Sequence, residues 1–336
     1  MSNVSSVTPP KVSVVIAAYN AMRYLPQTLN TVLDQTFQDF EVIIVDDGSR
    51  DQIKSWAATL NHPKVKFFSQ ANAGSAAARN TALSHAVGEY IAFLDADDLW
   101  DLRKLETHVQ ALDNNPEVGL VYSWVATMDE NDRPQGKVCE NSESGDVLPR
   151  LIEHDIIECG SNPVIRRECF DRVGVFDTSF PYAQTWEMWL RIAMAYGFYC
   201  VPEPLVKYRF HPGNTSKKWQ KMEANYHAII EKVFAIAPPH YQSLKARSYG
   251  FAYLRIAWKT LQNLNGDCGP AKQFRQQALS YCPELRSSSQ CVRLSIAIVM
   301  VQLLGLDGYS QLRTNLHQLK NRLMQLPKLL SVSASS

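Results

Sequence analysis

Over the first hundred residues, short unbroken apolar runs alternate with stretches whose apolar positions recur every three or four residues. The runs are VSVVIAA (12–18), FEVIIVDD (40–47), VKFFSQ (65–70) and EYIAFLDADD (89–98). Runs of this kind, without polar alternation, predict strands covered on both faces. Between them, AMRYLPQTLNTVLDQT (21–36) brings Leu25, Leu29, Val32 and Leu33 to one helical face. DQIKSWAATL (51–60), SAAARNTALSHAV (75–87) and LRKLETHVQALDNN (102–115) read as further helices. Strand–helix alternation with short connections predicts an α/β fold with a Rossmann-type, mostly parallel sheet flanked by helices.

Beyond residue 117 the pattern loosens. VGLVYSW (118–124) predicts a strand and DENDRPQG (129–136) a turn-rich loop. TWEMWLRIAMAYG (185–197) predicts a helix, and YCVPEPLVKYRFH (199–211) a last strand interrupted by proline. After HPGNTSKKW the chain turns helical, with breaks at APPH (237–240) and NGDCGP (265–270). The expected organisation is a disordered tail at 1–10, an α/β domain over 11–215 and a helical C-terminal region over 216–330.

Polar residues gather where these strands end: Tyr19-Asn20, Asp46-Asp47-Gly48-Ser49 and Asp95-Ala96-Asp97-Asp98. Open parallel sheets bind ligands at the carboxyl ends of their strands, so three such clusters describe a pocket. Asp95-Ala96-Asp97 is a D-x-D whose carboxylates suit an oxygen-rich shell around Mn²⁺ or Mg²⁺ that also holds a diphosphate. The competing reading is helix capping, which fits Asp101 and leaves Asp98 open to either role. Around Asp47, Gly48 and Ser49 fit a surface turn, while the carboxylate fits hydrogen bonding to a base or ribose. No glycine-rich phosphate loop of the dinucleotide or P-loop kind is present, so another group must neutralise the phosphates.

Charge adds an exclusion. The formal net charge is +1 with no polybasic run, which gives nucleic-acid binding no support. Seven cysteines without a C-x-x-C pair point to reduced thiols in a cytoplasmic setting rather than a disulfide framework or zinc site. The N-terminus lacks the charged-then-apolar order of a signal peptide. The apolar run LSIAIVMVQLLGL (294–306) falls short of the ~20 residues a spanning helix needs. Burial is the preferred reading for it, and peripheral contact with the inner face of a membrane the alternative.

VSVVIAAYN, VDDGS, NAGSAAARN, GEYIAFLDADD and FDTSFPYAQTWEMWLR, in this order and spacing, resemble the family 2 glycosyltransferases of the GT-A fold. The resemblance spans about 12–215 and implies a nucleotide-binding half (about 11–115) joined to an acceptor half (about 116–215). It implies inverting, metal-assisted transfer of a sugar from a nucleotide-sugar, commonly a UDP-sugar, to a hydroxyl of a saccharide or glycolipid, in polysaccharide or glycolipid biosynthesis. Matched by motif, Ala18, Tyr19 and Asp47 line the nucleobase pocket, Arg79 lies near the nucleotide and Asp95 contacts ribose or donor sugar. Asp97 holds the metal, and His211, in YRFHPGNTS, approaches the diphosphate or metal; a surface-turn histidine is the alternative. Trp186 could stack on an acceptor sugar, whereas Trp189 belongs in the core by its spacing.

Inversion needs a carboxylate to take the acceptor proton. The family's Glu-Asp pair is replaced here by Gln184 and Thr185. Glu187, two residues on, is the candidate base, against an equally weighted salt bridge to Arg191 one turn away; Asp177 is a further option. Ala17 and Ala82 replace the family's frequent Pro and Gly with other small residues. Two other functions stand beside transfer: a nucleotide-sugar-binding protein without turnover, and a nucleotidyltransferase, for which AAYNAMRYL offers only Arg23.

Overall fold

The computed structural model describes residues 8–211, 213, 222–263 and 267–330, except the side chains of 262 and 263 and of most positions beyond 309. The tail expected at 1–10 therefore lies mostly outside the described residues, as does the stretch around the boundary expected near 216. Two compact units form: the chain up to Ser216 with Ala224–Leu244, and Lys217–Glu223 with Lys245 onward.

In the first unit β1 (Val12–Ala18), β2 (Phe40–Asp46), β3 (Val65–Ser69) and β4 (Tyr90–Asp95) pair in parallel, in the order β3-β2-β1-β4. All seven residues of β2 are buried, as a doubly covered strand requires. The helix between β1 and β2, α1 (Leu25–Leu33), starts four residues later than its apolar spacing suggested, because Pro26 favours the first turn and residues 21–24 form a turn. α2 (Ile53–Ala57), α3 (Ser75–His85) and, past the two-residue β5 (Leu99–Trp100), α4 (Lys104–Asn114) follow in chain order.

The other half of the sheet is mixed. β6 (Val118–Asp129) outruns the expected strand by five residues and forms a hairpin with β7 (Pro134–Cys139). The loop expected at 129–136 is thus only a tight turn, in which the Asp129 carboxylate accepts the N–H groups of Asn131 and Arg133. β7 escaped the pattern because it is exposed and carries no apolar run or alternation. The short α5 (Leu148–Leu151) precedes β8 (Val164–Arg166), which runs antiparallel between β4 and β6 and joins the two halves. α6 (Arg167–Val173) and α7 (Gln184–Ala193) lead to β9 (Gly197–Phe210), parallel to β6 with a register shift at Pro204. The predicted proline interruption is this shift.

α8 (Met222–Ile236) lies, from Ala224 on, in the first unit. The second unit is built from α9 (Lys245–Asn263), α10 (Gly269–Tyr281) and α11 (Ser289–Leu330), the last broken at Gly305 by a φ of 71°. Gly250 allows close helix packing, since a Cβ there would come within 2.6 Å of Leu285.

Candidate active site

Parallel register brings the polar strand ends to one level: Ala18 is opposite Asp46 and Ala17 opposite Asp95. Ala18 is buried and Tyr19 half exposed at the mouth of this edge. Asn20, in the left-handed region at φ 50°, ties the first two loops together; its N–H donates to Ser49 Oγ and its Oδ1 accepts from Arg50 N. Asp47 is buried. Its Oδ1 accepts from Gln70 Nε2 and Ala73 N, and its Oδ2 from Gly74 N at 2.8 Å. It therefore shapes the turn before α3 and keeps lone-pair capacity on Oδ2. Gly48 permits the approach, because a Cβ there would meet Asn72 N at 2.8 Å.

Arg79 reaches across from α3. Its Nη2 pairs with Asp95 Oδ1 at 2.6 Å, its guanidinium is 5.7 Å from the Phe176 ring, and its Nη1 is buried without a partner among the described residues. A buried donor of this kind lacks one acceptor oxygen. Gly160 lies over the pair, where a Cβ would stand 3.0 Å from Asp95 Oδ2 and 3.2 Å from Arg79 Nη2. The hydroxyl of Ser161 accepts the Asp95 N–H and donates to Asp98 Oδ2 at 2.5 Å.

The D-x-D carboxylates differ sharply. Asp98 is sealed, with Oδ1 accepting the Arg209 N–H, so it locks β9 to the motif; this decides the reading left open for it. Asp97 keeps a quarter of its side chain exposed and accepts from His211 Nε2 at 2.7 Å. Burial, and then the charge of Asp95, raise its carboxyl above the usual range. Burial raises Asp98 further, with Asp97 and Asp95 adding to it. Arg209 donates from Nε to the Asp97 carbonyl and pairs with Asp132 through Nη1, bracing the motif from β9 and the hairpin turn.

This negative cluster fits a divalent cation, which would relieve the repulsion that raises Asp97. Among the described residues no three His, Cys, Asp or Glu side chains converge as a ready-made cage. An ion would rest on Asp97 and take further oxygens from a diphosphate, as Mn²⁺ and Mg²⁺ sites commonly do. His211 Nδ1 accepts the Gly213 N–H at 3.1 Å, which leaves the ring proton on Nε2. Ligation through Nε2 would require that contact to be exchanged.

Two sequence assignments are corrected. Glu187 is fully buried, its oxygens accepting from Arg191 Nε and Nη2, with Lys232 Nζ 2.8 Å away. A carboxylate held by two cations and shut off from solvent is not available to an acceptor hydroxyl, so the salt-bridge alternative describes it. Trp186 is also core: its indole N–H donates to the Leu151 carbonyl and its ring packs edge-on against Tyr226. Asp177 pairs with Lys232 at 2.6 Å and accepts from Ser179; although burial opposes it, these bonds lower its carboxyl to about 2, a poor base. Gln184 donates to Ser75 Oγ. Gly160 and Ser161 carried no motif, and Arg209 stood in YRFHPGNTS without an assigned role; a close backbone approach and a buried hydroxyl are visible only once the chain is folded.

The family described as Glycosyl transferase family 2 matches residues 13–174. An uncharacterized glycosyltransferase of Nostoc sp. is 32% identical over 242 residues, 66% of this chain and 72% of that one. One of Rickettsia bellii is 30% identical over 217 residues, 62% of this chain, and the match spans only 31% of that longer protein. Among solved structures, S. aureus TarS in complex with UDP-GlcNAc has a TM-score of 0.55 at 16% identity, covering 82% of this chain and 91% of that one. A mannosyltransferase of Pyrobaculum calidifontis in complex with GDP-Man and Mn²⁺ has a TM-score of 0.55 at 21% identity, covering 88% of each chain. At these identities the structural likeness shows the fold, which is that of GT-A transferases. With the sheet, its strand-end carboxylates and the Nostoc relative in agreement, the chain belongs to the family 2 glycosyltransferases.

Proposed function

We propose that this chain transfers a sugar from a UDP-sugar to a hydroxyl of a saccharide or glycolipid acceptor, with inversion and with Mn²⁺ or Mg²⁺ at Asp97, in polysaccharide or glycolipid assembly. The observation that carries this reading is the buried, half-satisfied Arg79 beside Asp95, next to a D-x-D cluster short of countercharge. Asp47 Oδ2 accepts an N–H from the base, and Arg79 donates Nη1 to an oxygen of the donor. Asp95, held by Arg79 beneath Gly160, orients ribose or sugar. Asp97 would hold a divalent cation, which when bound would supply charge stabilisation for the departing diphosphate. The acceptor oxygen bonds to the anomeric carbon as the bond to the diphosphate breaks on the opposite face, which inverts the configuration. The acceptor proton passes to solvent water because Glu187 and Asp177 are committed to Lys232.

The test is calorimetric titration of UDP and GDP with Mn²⁺ and with chelator, followed by assay of nucleotide release from UDP-sugars with saccharide acceptors. Metal-dependent binding of UDP, and a product of opposite anomeric configuration, are expected. Failure of any nucleoside diphosphate to bind with Mn²⁺ present would end the proposal. A second reading, donor binding without transfer, is favoured by one specific observation: Glu187 and Asp177 are both committed to Lys232. Binding of UDP with no turnover on any acceptor would select it.

A further inference from the structure

The second unit carries a surface that the transferase reading does not use. Between Ser289 and Gly305, α11 has two opposed apolar faces. Cys291, Leu294, Ala297, Ile298 and Val301 are buried. Val292, Ile296, Val299 and Leu303, spaced by four, three and four residues, are between 44% and 73% exposed. Apolar side chains scattered singly over a surface are ordinary, but a continuous stripe marks an interaction site. An 18-residue stretch within Ser289–Tyr309 has mean hydropathy 1.7, the composition of a membrane span. Gly305 breaks the helix within this segment, so the continuous run 289–304 stays short of the ~20 residues a spanning helix needs, as inferred from 294–306. The expected burial holds for one face alone. A helix with one face committed to its own unit meets a bilayer in the plane of the interface rather than across it.

Beside the stripe is a groove of about 670 Å³ lined by Lys272, Arg275 and Arg286 together with Leu279, Ile298 and Val299. Val299 belongs to both features. No acidic residue lines the groove, and among the described residues none of its three cations meets a carboxylate; Arg275 Nε instead donates to Ser295 Oγ at 2.7 Å. The charge bias is regional. Residues 268–330 hold eight Lys and Arg against Glu284 and Asp307, in a chain whose overall charge is +1.

We propose that this face of α10 and α11 docks on an anionic phospholipid surface. Val292, Ile296, Val299 and Leu303 enter the acyl boundary, and Lys272, Arg275 and Arg286 receive headgroup phosphates. The other partner that an apolar stripe suggests is a second copy, since leucines continue at heptad spacing at 312, 316, 319, 323, 326 and 330. Charge argues against it. Residues 308–336 hold four Lys and Arg and no acid, so paired copies would bring like charges together.

Flotation of the full chain with phosphatidylglycerol–phosphatidylcholine vesicles, and with phosphatidylcholine alone, tests the proposal. Partitioning at least about tenfold stronger on the anionic vesicles, weakened by added salt, is expected. The double variant Ile296→Gln/Leu303→Gln, at exposed positions and with unchanged melting, is expected to lose about tenfold of that binding. Lys272→Gln/Arg286→Gln is expected to remove the preference for anionic lipid. Equal partitioning on both vesicles, or undiminished binding by the Ile296/Leu303 variant, would overturn the proposal. A fall from dimer to monomer mass in that variant, by light scattering, would assign the stripe to a second copy and overturn it equally.

Discussion

Two carboxylate clusters of the first unit were built to opposite specifications. Asp95 and Asp97, at the end of β4, are partly open, crowd one another and face one arginine and one histidine. Glu187, on α7, is closed to solvent and held by Arg191 and Lys232. The first cluster has negative charge left to offer a ligand, and the second has spent all of its own. In the proposed reading, donor recognition falls to the first cluster and structural support to the second, and proton removal falls to neither Glu187 nor Asp177.

Substitution at Glu187 gives the largest effect on this comparison. Glu187→Gln keeps the shape but leaves Arg191 and Lys232 without their shared anion, and should cost about 3 kcal/mol in urea unfolding. Its affinity for UDP with Mn²⁺ should be unchanged. Weakened nucleotide binding at full stability would reverse the assignment. Asp97→Ala should do the opposite, lowering metal-dependent UDP affinity about 100-fold in calorimetry while leaving the fold intact, since removing charge from a crowded cluster relieves repulsion. Gly160→Ala is finer. Its methyl would press on Asp95 and Arg79, and should weaken UDP-sugar binding about tenfold with little change in melting.

A further prediction concerns a buried cation that meets no carboxylate among the described residues. Lys104 on α4 is fully buried over the Trp100 ring and beside His108, and burial lowers its ammonium from 10.5 to about 7. Folding favours the neutral amine, so its contribution is fully present above about pH 10.5 and is lost as pH falls through about 7. Lys104→Met should flatten that slope and raise the melting temperature below pH 7. An unchanged slope would show that the ammonium is stabilised in the fold.

The nucleotide-binding side was legible from the sequence because its information is local. β1, β2 and β4 are runs of buried residues whose ends carry their own polar clusters, and parallel pairing places those ends side by side. β7 and β8 were not legible, one being exposed and without an apolar run and the other only three residues long, so that pairing rather than composition makes them strands.

By itself, then, the sequence determined the α/β order, the membership that its motifs imply and the residues Asp47, Arg79, Asp95 and Asp97 at one edge, because period and spacing are properties of neighbours along the chain. Only the tertiary structure decided what each carboxylate is free to do. Asp98 is sealed by β9, Glu187 is sealed by a lysine 45 positions further on, and Gly160 covers Asp95 from a loop 65 positions away. Whether a charge is spent or available depends on burial and partners, and these come from segments distant in sequence that only folding brings together.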